Sequence, residues 1–228
     1  MMQPDWLDLS SYLSNNQVKA FFSYNSFPSR GLEARKNFLN QTGFIRKSLL
    51  VPIQVHSKNV ILKNEAGKVN GVDGVFTFNP DIVCSIQVAD CMPIYFCHQI
   101  EKKFGIIHVG WRGLVDGIIF QSNRLLNNNG LNLDDFELII GPSIQHCCFE
   151  VKNDIIQKFD KQFINKIDEN RFKVNLQSIA ISQLNDLNFN TEKIKVISEC
   201  TFCNPEKYYS YRRDGKNTGR MIGIIGIQ

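Results

Sequence analysis

The chain has 228 residues, 43% of them hydrophobic and 21% charged, the profile of an ordinary globular protein long enough to bury a core without disulfide staples. Its 26 basic and 22 acidic side chains leave a formal charge of +4, which suits an anionic small molecule but falls far short of a nucleic-acid-binding footprint. Seven cysteines, an odd number, together with no run near the ~18 apolar residues of a membrane span, point to reduced thiols in a cytoplasmic protein without membrane partners.

The opening MMQPDWLDLS has no basic start and no apolar stretch, so no secretory signal is expected. Periodicity is weak over the first ~50 residues. Residues 64–74, NEAGKVNGVDG, read as a polar loop rich in turn formers. IVCSIQV (82–88) is β-branched and apolar, a strand that ends at Ala89-Asp90-Cys91, and MPIYFCH (92–98) follows as its expected partner. KFGIIHV (103–109) is a further strand, stopped by Gly110. FELIIG (136–141) and KIKVISEC (193–200) are two more.

A helix is expected from Leu114, where Val115, Ile118, Ile119, Leu125 and Leu126 share a face and residues 127–130 end it. A second should start at Asn153/Asp154 and bury Ile155, Ile156, Phe159, Phe163 and Ile167. A third, from Asn175, groups Leu176, Ile179, Ala180, Leu184 and Leu187. Strands and helices alternate without a βαβ rhythm, and there is no repeat or linker. The fold predicted is therefore α+β, a single domain over 1–228 with a mixed β-sheet flanked by helices. No heptad pattern suggests assembly, so a monomer is expected.

Three segments place a soft ligand where strand meets loop: QVHS with His56, VADCMP with Cys91 and HVGWRG with His108. Two imidazoles and a thiolate suit a catalytic Zn2+ that keeps a fourth position open. Spacings of 35 and 17 residues match no zinc-finger pattern, however, and a lone His or Cys at a strand end is more often just packed or hydrogen-bonded. The same atoms also allow a thiol hydrolase, with Cys91 as nucleophile and His108 as its base. Asp90 either orients a histidine or caps a turn.

Gly110 and Gly113 permit close backbone approach, Arg112 can meet an anion or stack on Trp111, and Trp111 can form an apolar wall. SYRRDGKNTGR (210–220) gathers Arg212, Arg213, Lys216 and Arg220, either a phosphate cradle or a solvated basic turn; it lacks P-loop order. Cys200-x-x-Cys203 has no second CxxC to complete a zinc ribbon. Adjacent Cys147-Cys148 are expected only to pack, and His98 and His146 to lie at the surface.

The run QVHS, VDGVFT, ADCMPI, HVGWRGL, IGPSIQHCCFEV and CTFCNPEKYYSYRRDGKNTGR, from about residue 54 to 222, resembles the YfiH-like proteins, also labelled laccase-domain proteins or purine nucleoside phosphorylases. The resemblance implies a zinc site at His56, Cys91 and His108, a mixed-sheet sandwich, and catalysis by these three residues with Arg112. It also implies phosphorolysis of adenosine, inosine and methylthioadenosine, with deamination of adenosine. Substrate and phosphate contacts fall to Arg112, Arg213, Arg220 and Asp90. Four histidines are too few for a multicopper oxidase. A runner-up activity is amide hydrolysis that edits UDP-muramyl peptidoglycan precursors, and a third possibility is a non-catalytic metal-binding protein. The family's TRxGGxS-like segment and Asn-Arg pair are altered here; SYNSFPSRGLEARKNF offers Arg30-Gly31 and Asn37 without the glycine pair.

Overall fold

Strands covered on both faces read as near-continuous apolar runs, and the central strands of this protein obey that rule. The computed structural model describes residues 4–27 and 31–228, so Arg30 lies outside the described residues. The chain begins with β1 (Trp6–Asp8), β2 (Val18–Ser23), α1 (Gly31–Gln41) and β3 (Ser48–Ile53). Among the described residues of the weakly periodic first 50, the chain thus forms three strands and a helix. β4 (Val60–Leu62), β5 (Gly67–Asn70) and β6 (Gly74–Thr77) follow. The expected loop over 64–74 therefore contains a strand: β5 is a polar edge, held by parallel pairing with β3, which no local propensity signals.

β7 (Ile82–Val88), β8 (Met92–His98) and β9 (Phe104–Val109) match the expected strands. The next helix opens earlier than expected, at Trp111, and is split by Gly117 at φ +90° into α2 (Trp111–Asp116) and α3 (Ile118–Asn128). Then come β10 (Phe136–Ile140), β11 (Glu150–Lys152), α4 (Asn153–Ile156), β12 (Ile164–Lys166) and β13 (Arg171–Val174). The helix expected to run to Ile167 is a single turn. Asp168 Oδ1 accepts the N–H groups of Asn170 and Arg171, each at 2.9 Å, and this turn folds β12 back on β13. α5 (Leu176–Asp186) forms as read, capped by the Asn175 side chain on Ser178 N–H. β14 (Ile194–Val196), α6 (Tyr211–Asp214) and β15 (Met221–Ile227) complete the chain.

Two six-stranded mixed sheets, ordered β1-β2-β15-β7-β3-β5 and β14-β10-β8-β9-β6-β4, pack face to face, with a small sheet β11-β13-β12 beside them. Strand alternation sorts the side chains into layers. In β8, Tyr95 and Cys97 join the core between the sheets, whereas Ile94 and Phe96 join the helical layer of α2, α3 and α5. In β15, Met221 and Ile225 face inward and Ile222 and Ile224 pack with Phe38 and Leu39 of α1. The architecture is the mixed α+β sandwich flanked by helices that was expected. The pairing of β7 with β8 is not: they belong to different sheets, and residues 89–91 carry the chain from one to the other. No helix among the described residues is long and apolar enough to cross a membrane.

Candidate metal centre and cavity

The sheet-to-sheet crossing is tight enough to put Asp90 at φ +82°. Its carboxylate secures the bend: Oδ1 accepts from Thr201 Oγ1 and Oδ2 from the Arg212 backbone N–H, both at 2.7 Å. Asp90 borders the cavity described below, but its oxygens are engaged as a cap, not as a histidine partner. Cys91, the next residue, faces the junction.

His56, after β3, also has a left-handed backbone, φ +61°. A non-glycine residue holds that conformation only when its surroundings insist on it. Asp73, fully buried, supplies the constraint. Its Oδ1 accepts from His56 N–H at 2.9 Å, and its Oδ2 accepts from Ser57 N–H at 2.6 Å, Ser57 Oγ at 2.8 Å and Val55 N–H at 3.2 Å. The same Oδ1 lies 2.8 Å from His108 Nδ1. Since an ionised carboxylate only accepts, the Nδ1 proton stays in place and Nε2 is the atom that would coordinate a metal ion, on losing its proton. Sequence reasoning missed Asp73; the available signal was an Asp-Gly pair ahead of an apolar strand.

The ligand atoms of His56, Cys91 and His108 all lie within 4.8 Å of one another, and the two imidazole rings meet edge to face at 76°. The glycines of HVGWRG make room. A Cβ on Gly110 would come within 3.0 Å of the His56 ring and 3.2 Å of Cys91 Sγ, and one on Gly113 within 2.6 Å of Ser57 O. Burial pushes the Cys91 thiol up, but the His108 charge and hydrogen bonds from both histidines outweigh it and hold Cys91 near 6. Burial likewise pulls His108 down, yet the Cys91 thiolate and Asp73 raise it to about 9. For Asp73 burial is again the opposing influence; the hydrogen bonds of His108 and Ser57 keep it at about 2. A thiolate flanked by oriented imidazoles is a donor set compatible with a metal ion.

The three residues border an open cavity of about 900 Å³. Its apolar wall comes from Trp111, Ile144, Phe149, Ile155 and Leu176. Among the described residues, six cationic side chains (Arg35, Lys68, Arg112, Lys152, Arg212, Arg220) line it against three carboxylates (Asp90, Glu150, Asp154). Arg112 is exposed and lines the cavity with its guanidinium 4.5 Å from the Trp111 ring centre, so it stacks on the indole as one of its two readings had it. Arg220 reaches the rim with Nη1 bonded to the carbonyls of Thr218 and Gly219.

Arg213 departs from its expected phosphate role. Its guanidinium is consumed by the carbonyls of Thr201, Phe202 and Tyr208 and by Asp214, and it does not border the cavity. Arg35, unsuspected in the sequence, does. It is 5% exposed, its one side-chain bond among the described residues is to Ser85 Oγ at 2.7 Å, and burial lowers it to about 10. Its signal was a charge in the same helical phase as buried Phe38 and Leu39. Asn37 is exposed on that helix. His98 is buried, not at the surface: Nδ1 accepts the N–H groups of Ile100 and Glu101. His146 is not buried, so of the four histidines only His56 and His108 meet.

Residues 15–228 match the family model described as multi-copper polyphenol oxidoreductase laccase. The chain belongs to that family. A purine nucleoside phosphorylase of Haemophilus influenzae is 33% identical over 183 residues, covering 77% of this chain and 72% of the relative. Another from Staphylococcus saprophyticus is 30% identical over 200 residues, covering 81% and 75%. The fold matches YlmD from Geobacillus stearothermophilus with a TM-score of 0.91 at 22% identity over 100% of this chain and 98% of the other. It matches Bacillus licheniformis YfiH with a TM-score of 0.89 at 24% identity, over 99% and 97%. The YfiH-like resemblance in the sequence is therefore real.

Proposed function

We propose that this protein is a zinc-dependent purine nucleoside phosphorylase whose metal ligands are His56, Cys91 and His108. The observation that carries the reading is the meeting of these three donors at the edge of a cavity lined, among the described residues, by twice as many cations as carboxylates. Two imidazoles and one thiolate are a three-ligand catalytic set for zinc. Bound at this site, zinc supplies Lewis-acid polarisation.

The chain's own groups account for the remaining requirements of phosphorolysis. Arg112 and Arg220, with the buried Arg35 also lining the cavity, hold phosphate by charge-assisted hydrogen bonds and bring it to the ribose anomeric carbon. Trp111, Phe149 and Leu176 offer the flat apolar surface a purine needs. Asp73 keeps the proton on His108 Nδ1 so that the imidazole stays in one tautomer. The relatives' name, purine nucleoside phosphorylase, supports purine nucleosides as the substrate class, and adenosine, inosine and methylthioadenosine are the substrates proposed within it.

The deciding experiment incubates purified, zinc-loaded protein with adenosine, with and without phosphate, and quantifies adenine, ribose 1-phosphate, hypoxanthine and inosine. Adenine released only with phosphate, in equal amount with ribose 1-phosphate, is expected; inosine formation reports deamination as a second activity. Cleavage of a UDP-muramyl amide without any nucleoside turnover would overturn the reading.

A further inference from the structure

Two cysteine pairs far apart in sequence converge away from the His–Cys–His centre. The sulfurs of Cys147, Cys148, Cys200 and Cys203 all lie within 4.8 Å of one another. Cys203 Sγ is 3.3 Å from Cys148 Sγ and 3.7 Å from Cys147 Sγ. Nothing in the spacing of these residues unites them, because the partner of the CxxC is a Cys-Cys pair and not a second CxxC.

We infer that these four thiolates form a structural Zn2+ site, separate from the catalytic centre. Zinc with four sulfur ligands at about 2.3 Å requires sulfur–sulfur edges near ~3.8 Å, which the cluster, with all four sulfurs within 4.8 Å of one another, approaches. A disulfide needs about 2.05 Å, and no pair here is bonded. A closed set of four cysteine ligands leaves no position for substrate, so the site is structural.

The surroundings are those of a ligand turn. The backbone N–H of Gln145 donates to Cys200 Sγ at 3.5 Å, a contact of the kind that stabilises a metal-bound thiolate. Arg213 donates to the carbonyls of Thr201 and Phe202, inside the CxxC turn, and Arg212 to those of Cys148 and Glu150. Two guanidinium groups thus stand on the two arms where four thiolates and one dication leave a net negative charge. Backbone pairing of Ser143 with Cys200 holds the arms in register. The metal would tie together the loop that carries Ile144 and Phe149 into the cavity wall and the turn behind it.

The test is metal stoichiometry on purified protein grown in zinc-replete medium. Two ions per chain are expected, falling to one in Cys147→Ser/Cys203→Ser, to one in His56→Ala, and to none when the changes are combined. One ion per chain, kept in the double serine variant and lost in His56→Ala, overturns this proposal and leaves the catalytic site standing; the reverse pattern overturns only the catalytic site. Alkylation of the wild-type chain gives an answer should a variant fail to fold. Cys147 and Cys203 are exposed, so zinc must protect them until a chelator is added; alkylation at the free-thiol rate with zinc present overturns the site. An intact mass showing a disulfide among these four cysteines in protein purified under reducing conditions overturns it as well.

Discussion

Asp73 organises the centre from beneath: one carboxylate fixes the strained backbone of His56, the hydroxyl of Ser57 and the tautomer of His108. Asp73→Asn keeps the shape but replaces an acceptor-only group with one that can donate, so His108 loses its orientation. Metal affinity should fall about 10–100-fold by competition with a chelator, and unchanged affinity would sever Asp73 from the site. The same carboxylate predicts an acid limb. Its pKa is near 2 in the fold against an ordinary 3.8, a depressed value, so its stabilisation is complete above the ordinary value and lost as pH falls through the folded one. The contribution is about 2 kcal/mol at neutral pH. Melting of metal-free protein between pH 4 and 2 should therefore be less steep in Asp73→Asn than in the wild type. Arg112→Ala should lower kcat about 10²-fold if the guanidinium meets charge that develops in the transition state. A rise in KM alone would assign it to ground-state binding.

Helix α1 brings to the cavity a buried cation that has no carboxylate partner among the described residues. Burying a guanidinium with a single hydroxyl contact is costly, and an anion arriving in the cavity offsets that cost. Arg35→Met should raise the KM for phosphate about tenfold or more while the KM for nucleoside changes little, and it should leave Tm equal or higher. A lower Tm with unchanged phosphate dependence would make Arg35 a structural residue. Other elements show where local reading ends. The apolar residues of 153–167 fit a helix by spacing, yet an Asx turn at Asp168 and pairing with β13 redirect them into a hairpin. β7 and β8 read as a hairpin because only residues 89–91 separate them. Their side chains are apolar on both faces, so either sheet would accept them, and nothing local chooses.

At the scale of the whole molecule, two sheets and their helical layers create three cores, and β8 serves two of them at once. Phe96, 1% exposed, packs toward the helices that carry HVGWRG's continuation. Phe96→Ala should cost about 3–5 kcal/mol. That corresponds to a fall in Tm of roughly ten degrees in a chain of this size, measured by calorimetry, and a drop of only a degree or two would mean the layer relaxes to fill the gap. The sequence by itself determined the central strands, the capped helix α5, the α+β class and the candidate trio of His56, Cys91 and His108, whose side chains the structure brings together, because each depends on short patterns or on a motif that can be quoted. Only the tertiary structure decided which sheet each strand joined, that Asp73 and Arg35 belong to the site, that Arg213 does not, and that four scattered cysteines meet. Those outcomes depend on contacts between residues far apart along the chain, and no local propensity encodes which distant partner will be there.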